Sequence, residues 1–145
     1  SMILRFLFFC FIFVHGSIQA QVVIIAHKDV PVNQLTQPQL FDFYTGDIKR
    51  WENKDPVIVF TLKPKTAVQD SFFRLLGRTS SRMKSIWMKN MLSGEGDPPE
   101  SLRSEAAVLL KVSTTPGAIG FVSRDSITSD VKTLMINKGT DWPLF

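Results

Sequence analysis

Residues 56–77 read PVIVFTLKPKTAVQDSFFRLLG, an apolar run, a basic loop and an amphipathic helix in immediate succession. Val57, Ile58, Val59 and Phe60 are β-branched or aromatic, follow a proline and are too few for a helix, so they predict a buried strand. Thr61 to Lys65 then predicts a loop. Thr66-Ala67-Val68-Gln69 fits the capping box, in which the threonine hydroxyl accepts from the N3 amide while the glutamine reaches back, so a helix starts there. Val68, Phe72, Leu75 and Leu76 share one helical face, and Gly77 stands where a left-handed C-terminal residue is wanted. Such a junction aims free amides and the positive end of the helix dipole into its loop. With Lys63 and Lys65 adding charge, Thr66 and Ala67 become candidate ligands of a small anion. The plainer reading is a threonine that only caps its helix beside two solvated lysines.

Toward the N-terminus, Val22-Val23-Ile24-Ile25-Ala26 is a second β-branched run and predicts the central strand. His27 follows at its carboxyl end, the end of an open α/β sheet where ligands sit, and joins the candidate anion ligands against the alternative of an ordinary loop histidine. Thr36-Gln37-Pro38-Gln39 repeats the capping box with an early proline. Leu40, Phe41 and Tyr44 share a face, Gly46 ends that helix, and Asp47 to Trp51 predicts a short helical turn that pins Trp51 to the core.

Toward the C-terminus, Met83, Ile86, Trp87, Asn90 and Met91 follow helical spacing, with Arg82, Lys84 and Lys89 facing away. The stretch from Gly94 to Pro99 is the strongest break in the chain. It lacks the alternating oxygen ligands of a calcium loop and is read as a turn. Leu102, Ala106, Leu109 and Leu110 predict a helix from Glu100 to Lys111, Thr114 to Gly117 a turn, Ala118 to Val122 a strand whose glycines admit close backbone approach, and Val131 to Ile136 a last strand. Strands and helices alternate, which predicts an α/β fold of three layers around a small, mixed, mostly parallel sheet.

Residues 2–20, MILRFLFFCFIFVHGSIQA, carry one basic residue, an apolar core and a small residue at Ala20, the pattern of a secretory signal peptide cleaved after Ala20. Ser1, ahead of Met2, reads as a remnant of cloning. An uncleaved anchor is the alternative, although spanning a bilayer takes about 20 apolar residues. Cys10, the one cysteine, lies in this segment behind Phe8 and Phe9, which argues against a lipid attachment site. The remaining chain, residues 21–145, then has no thiol or disulfide and is the size of one domain, which suits a periplasmic protein. Without Arg5 the formal charge falls from +4 to +3, and the cations are spread without a basic run, which argues against a nucleic-acid partner. Two histidines, one of them in the leader, leave no zinc or Cys-His arrangement. There is no Gly-x-Ser-x-Gly elbow, no Gly-x-Gly-x-x-Gly and no phosphate loop. The expectation is a protein with no catalytic residues, no metal and no cofactor.

The order of the pieces resembles a known family. Leu35-Thr36, then Leu40 to Gly46, then Ile48 and Trp51 are similar to a segment of the phosphate-binding proteins that serve ABC transporters. Pro116-Gly117-Ala118-Ile119-Gly120-Phe121-Val122 resembles that family's "pGAIGYv" strand, Ser71-Phe72-Phe73 and Leu76 the helix after its anion loop, and Trp142-Pro143-Leu144 its late "YPL" segment. The resemblance implies a single lobe of a type 2 periplasmic-binding-protein-like fold, where family members have two lobes that close on the ligand. It also aligns the family's Ser-Gly-Thr anion loop with Pro64-Lys65-Thr66, so Thr66 alone keeps a matching hydroxyl. Lys63 and Lys65 are proposed from position only.

Two functions follow as expectations. One is a solute-binding-like protein of the periplasm that holds phosphate or a related oxyanion for a transporter or sensor. With one lobe open to solvent, its affinity would be millimolar or absent unless a second copy, as in a homodimer, or another protein closes the site. The alternative is a non-catalytic module of the same fold that docks to an envelope or cell-surface assembly without binding solute.

Overall fold

The computed structural model describes residues 21–138, and its centre is the strand that opens them, β1 (Val22–Ala26). Next come β2 (Gln34–Thr36), α1 (Gln37–Thr45), β3 (Ile58–Leu62), α2 (Ala67–Leu76) and α3 (Ser80–Ser93). The chain continues through β4 (Glu100–Leu102), α4 (Glu105–Thr114), β5 (Ala118–Ser123), a 3-10 turn at Arg124–Ser126 and β6 (Lys132–Asn137). The strands form one six-stranded sheet in the order β2-β6-β1-β5-β3-β4. β1 lies antiparallel to both β5 and β6, whereas the β2–β6, β3–β5 and β3–β4 pairs are parallel. The sheet is therefore mixed and mostly parallel, as expected.

Alternation along β5 builds the two outer layers. Phe121 faces α1 and α2, where its ring stacks on Phe72 with centroids 4.0 Å apart and planes 8° from parallel, and the Tyr44 ring lies 4.6 Å from Phe72. Gly120, one residue earlier, faces α4. A Cβ there would sit 2.7 Å from Val108 Cγ1 and 3.0 Å from Val112 Cγ2, so the missing side chain is what lets α4 lie flat on the sheet. α3 packs outside α1 and α2 through Met83 and Trp87. Its Trp87 Nε1 donates to the Tyr44 carbonyl at 2.8 Å and its Asn90 Nδ2 to the Thr45 carbonyl at 2.7 Å, satisfying two of the end carbonyls that α1 cannot bond itself.

Helix ends follow the sequence closely. Thr36 and Gln39 close a full capping box, and Gly46, Gly77 and Gly94 take left-handed φ values of 78°, 71° and 76° at the C-caps. Elsewhere the structure differs. Glu100–Leu102 is an edge strand and not the first turn of a helix. It pairs with Phe60–Leu62, and the helix begins only after Ser104, whose side chain accepts from the Ala107 amide. The buried face of α4 is Val108 and Val112, while Leu110 is 66% exposed. Asp47–Trp51 is irregular chain, not a helical turn: Arg50 bridges Pro56, and the Trp51 amide donates to Asp55 O at 2.8 Å. Trp51 is buried against the core all the same. β3 runs on through Thr61 and Leu62, because β4 offers them a partner, and Gln34–Thr36 gains strand form from β6 in the same way. Met91 is exposed, and the last strand begins at Lys132, one residue later than expected. The leader of residues 2–20 and the Trp142-Pro143-Leu144 segment lie outside the described residues.

Candidate functional site

Strand directions decide which loops meet. Val22 pairs with Ser123, Thr36 with Asn137 and Leu62 with Leu102, so β2, β3, β4, β5 and β6 all finish at the end of the sheet where β1 begins. α1, α2 and α4 start there as well, α1 directly after β2, α2 after the four residues that follow β3 and α4 after the two that follow β4. Three helix N-termini thus share the carboxyl end of the sheet, with α1 and α2 on one face and α4 on the other. A crevice at such a switch point is the usual ligand position in an open α/β sheet.

The three helix starts are not equivalent. At α1 the Gln39 side chain accepts the Thr36 amide at 2.9 Å while Thr36 Oγ1 accepts the Gln39 amide at 3.2 Å, so side chains fill the end. At α4, Ser104 caps, and the Glu105 carboxylate stands in the first turn, where it accepts the Ser123 amide. α2 has half a box. Thr66 Oγ1 accepts the Gln69 amide at 3.2 Å, but the Gln69 side chain turns inward, donating to Leu62 O at 2.9 Å and toward Thr61 Oγ1 at 3.5 Å. The Thr66 amide is left without the acceptor that Thr36 enjoys, and the helix gives no acceptor to the Ala67 and Val68 amides either. The Thr66 hydroxyl hydrogen reaches only a long 3.5 Å contact with Lys63 O, so it is available to a better acceptor.

Pro64 and Lys65 form the turn above this opening. Lys65 has φ 70°, a left-handed value that a lysine seldom takes, at the position the resembling family fills with the glycine of Ser-Gly-Thr. Lys63 and Lys65 are exposed beside it, and Arg103 and Arg124, which sequence reasoning did not single out, are exposed in neighbouring connections at the same end. Nothing local in the sequence marks those two arginines, because strand pairing alone brings them here.

Thr66, Ala67, Lys63 and Lys65 are thus together by virtue of one loop, and His27 is not with them. β1 is the strand that runs against all the others, so its carboxyl end lies at the opposite end of the strands, about 15 Å away along them. There the His27 amide donates to Ala118 O at 3.0 Å, and its Nδ1 accepts the Asp29 amide at 3.0 Å, the pattern of a turn. Among the described residues no cluster of three or more His, Cys, Asp or Glu is placed to hold a metal, and no helix is long and apolar enough to cross a membrane.

No protein-family model matches the chain. Among solved structures, it is similar to an ABC-type phosphate transport receptor from Vibrio cholerae, with 22% identity and a TM-score of 0.65 over 83% of this chain and 47% of that one. It is also similar to PstS from Borrelia burgdorferi, with 16% identity and a TM-score of 0.62 over 81% of this chain and 47% of that one. The fold is shared, and the chain spans about half the length of the proteins it matches.

Proposed function

We propose that this chain is a non-catalytic, solute-binding-like lobe of the periplasm whose β3–α2 junction holds phosphate or a related oxyanion weakly. The observation that carries the reading is the half-built cap of α2. Because Gln69 points inward, the Thr66, Ala67 and Val68 amides and the Thr66 hydroxyl remain as donors at the positive end of a helix. Thr66 can cap and bind at once: one lone pair stays on the Gln69 amide while its hydrogen swings from Lys63 O to the ligand. Lys63 and Lys65 supply charge.

Magnitudes keep the affinity low. A hydrogen bond to a charged group contributes about 1.5–3 kcal/mol net, and micromolar binding needs about 8 kcal/mol. Solvent-exposed ion pairs add less than about 1 kcal/mol each. One lobe, without a second surface closing over the anion, supplies millimolar binding. A transporter or sensor component, or a second copy, is the partner that would complete it.

Calorimetric titration of the protein with phosphate, sulfate and acetate tests this. Saturable heat with phosphate, abolished in Thr66→Ala and weakened in Lys65→Ala, is expected; no heat with any oxyanion sinks the reading.

A second reading is favoured by one feature. A lysine stands in the left-handed corner where the resembling family has glycine, which narrows the approach to the amides. On that reading the fold is kept as a docking module for an envelope or cell-surface assembly and binds no solute. Pull-down of a stable partner together with silent titrations is its expected signature.

A further inference from the structure

Beside the first turns of α1, at the opposite end of α2 from Thr66, the surface opens into a cavity of about 140 Å3 lined by Gln37, Pro38, Phe41, Asp42, Leu76 and Arg78. Its floor is apolar, made by Pro38, Phe41 and Leu76. The Arg78 guanidinium lies 4.7 Å over the Phe41 ring centroid, and its Nη1 donates to Gly77 O at 3.1 Å, so the fork is held against the aromatic face. Asp42 brings a carboxylate to the same cavity, yet the ion pairs among the described residues are His27–Asp29 and Lys111–Glu100. Asp42 and Arg78 line one small space without neutralising each other. The wall also holds Gln37, 7% exposed, whose Nε2 donates to Leu75 O while its Oε1 has no partner among the described residues.

We propose that this cavity binds a small α-amino acid as its zwitterion, with the ammonium group on Asp42, the carboxylate on the Arg78 fork and a short side chain on Phe41 and Leu76. Each part of the ligand answers something in the wall. A planar guanidinium fork matches a carboxylate through two parallel hydrogen bonds. An unpaired carboxylate and an uncompensated amide oxygen both favour a ligand rich in donors, which a plain carboxylic acid is not. The helix end does not compete, because the Thr36–Gln39 box already closes the start of α1. Size sets the class, since pockets for drug-sized ligands run to about 300–1,000 Å3 and this one admits only a few heavy atoms. Partial burial, and secondarily Asp47, holds the Asp42 carboxyl above the usual carboxylate range, a cost that a bound ammonium group would relieve. This site is independent of the anion junction at the other end of α2.

The test is an NMR titration of the full chain with L-alanine, propionate, ethylamine and inorganic phosphate, each to about 50 mM, following the Phe41 ring and Leu76 methyl signals. The expected result is saturation by alanine at about 5 mM, with propionate and ethylamine about threefold to fivefold weaker because each lacks one charge. Phosphate should leave these signals in place. Asp42→Asn and Arg78→Gln should each weaken alanine about threefold to fivefold while the backbone spectrum stays folded. Failure of alanine to saturate, equal binding of the singly charged probes, or parent-like binding by both variants overturns the proposal. Should either variant unfold, the comparison of the four probes on the parent protein decides alone.

Discussion

Trp51 donates its indole N–H to the carbonyl of Gly117 at 3.0 Å, and the Ile58 amide donates to the same oxygen at 3.2 Å, so the entry to β5 is gripped from two sides. Gly117 reaches that position with φ 80°, and a Cβ on it would stand 2.3 Å from the Pro56 carbonyl oxygen. Gly117→Ala therefore combines a left-handed alanine, about 1–2 kcal/mol, with a backbone clash of about 1–3 kcal/mol. Urea denaturation should show a loss near 3 kcal/mol. Gly94→Ala is the control: φ is 76° but nothing lies within 4 Å, so its loss should stay near about 1 kcal/mol. Equal losses would show that the Pro56 contact relaxes without cost.

Legibility of the fold divides by range. Thr36 with Gln39, and Gly46, Gly77 and Gly94, act within one helical turn, and the sequence alone places all of them. Glu100–Leu102 is a strand only because Phe60–Leu62 lies alongside, and nothing in Glu-Ser-Leu announces it. Of the site, the loop residues were legible as a cluster because they are consecutive. The rule that ligands sit at a strand's carboxyl end puts His27 with them, but β1 points the other way from its neighbours, and direction is a property of the sheet. The inward turn of Gln69 is likewise decided by acceptors on β3, Leu62 O and Thr61 Oγ1.

Tyr44 is the chain's one tyrosine, and its hydroxyl donates to Phe60 O at 2.8 Å in a fully buried position. Burial pushes its ionisation far above the usual tyrosine range. The sign follows: the native state holds this proton more tightly than the unfolded chain, so stability falls as pH rises past the ordinary phenol value. In an alkaline titration, phenolate absorbance should appear only together with unfolding by circular dichroism. Absorbance that rises while the protein stays folded would contradict the buried hydrogen bond. Tyr44→Phe, which orphans Phe60 O, should cost about 1–3 kcal/mol.

Asp42 titrates with the same sign. Burial first, and the Asp47 charge second, hold its carboxyl above the usual value, so the native state binds more protons than the unfolded one. Stability contributed by the neutral acid is present at low pH and lost as pH climbs through and above the ordinary aspartate range. Asp42→Asn should raise the melting temperature near neutral pH, and the gain should vanish in acid below that range. A gain that persists in acid would assign the effect to packing. Asp47→Asn should recover a smaller part of it.

Lys65 separates stability from binding at the proposed anion junction. Its left-handed φ of 70° costs a lysine about 1–2 kcal/mol that glycine does not incur, while glycine loses about 0.5–1 kcal/mol more in chain entropy on folding. Lys65→Gly should therefore be neutral or more stable by up to about 1.5 kcal/mol in denaturant titration. If the Lys65 ammonium takes part in binding, the same variant loses phosphate affinity despite the more open approach to the Thr66 and Ala67 amides. If the lysine only obstructs, affinity rises. Thr66→Ser, which keeps both the cap and the hydroxyl hydrogen, should hold stability and affinity near the parent in either case, whereas Thr66→Ala loses about 1 kcal/mol of cap and the binding with it. A Thr66→Ala protein that binds phosphate like the parent would remove the junction from consideration as the site.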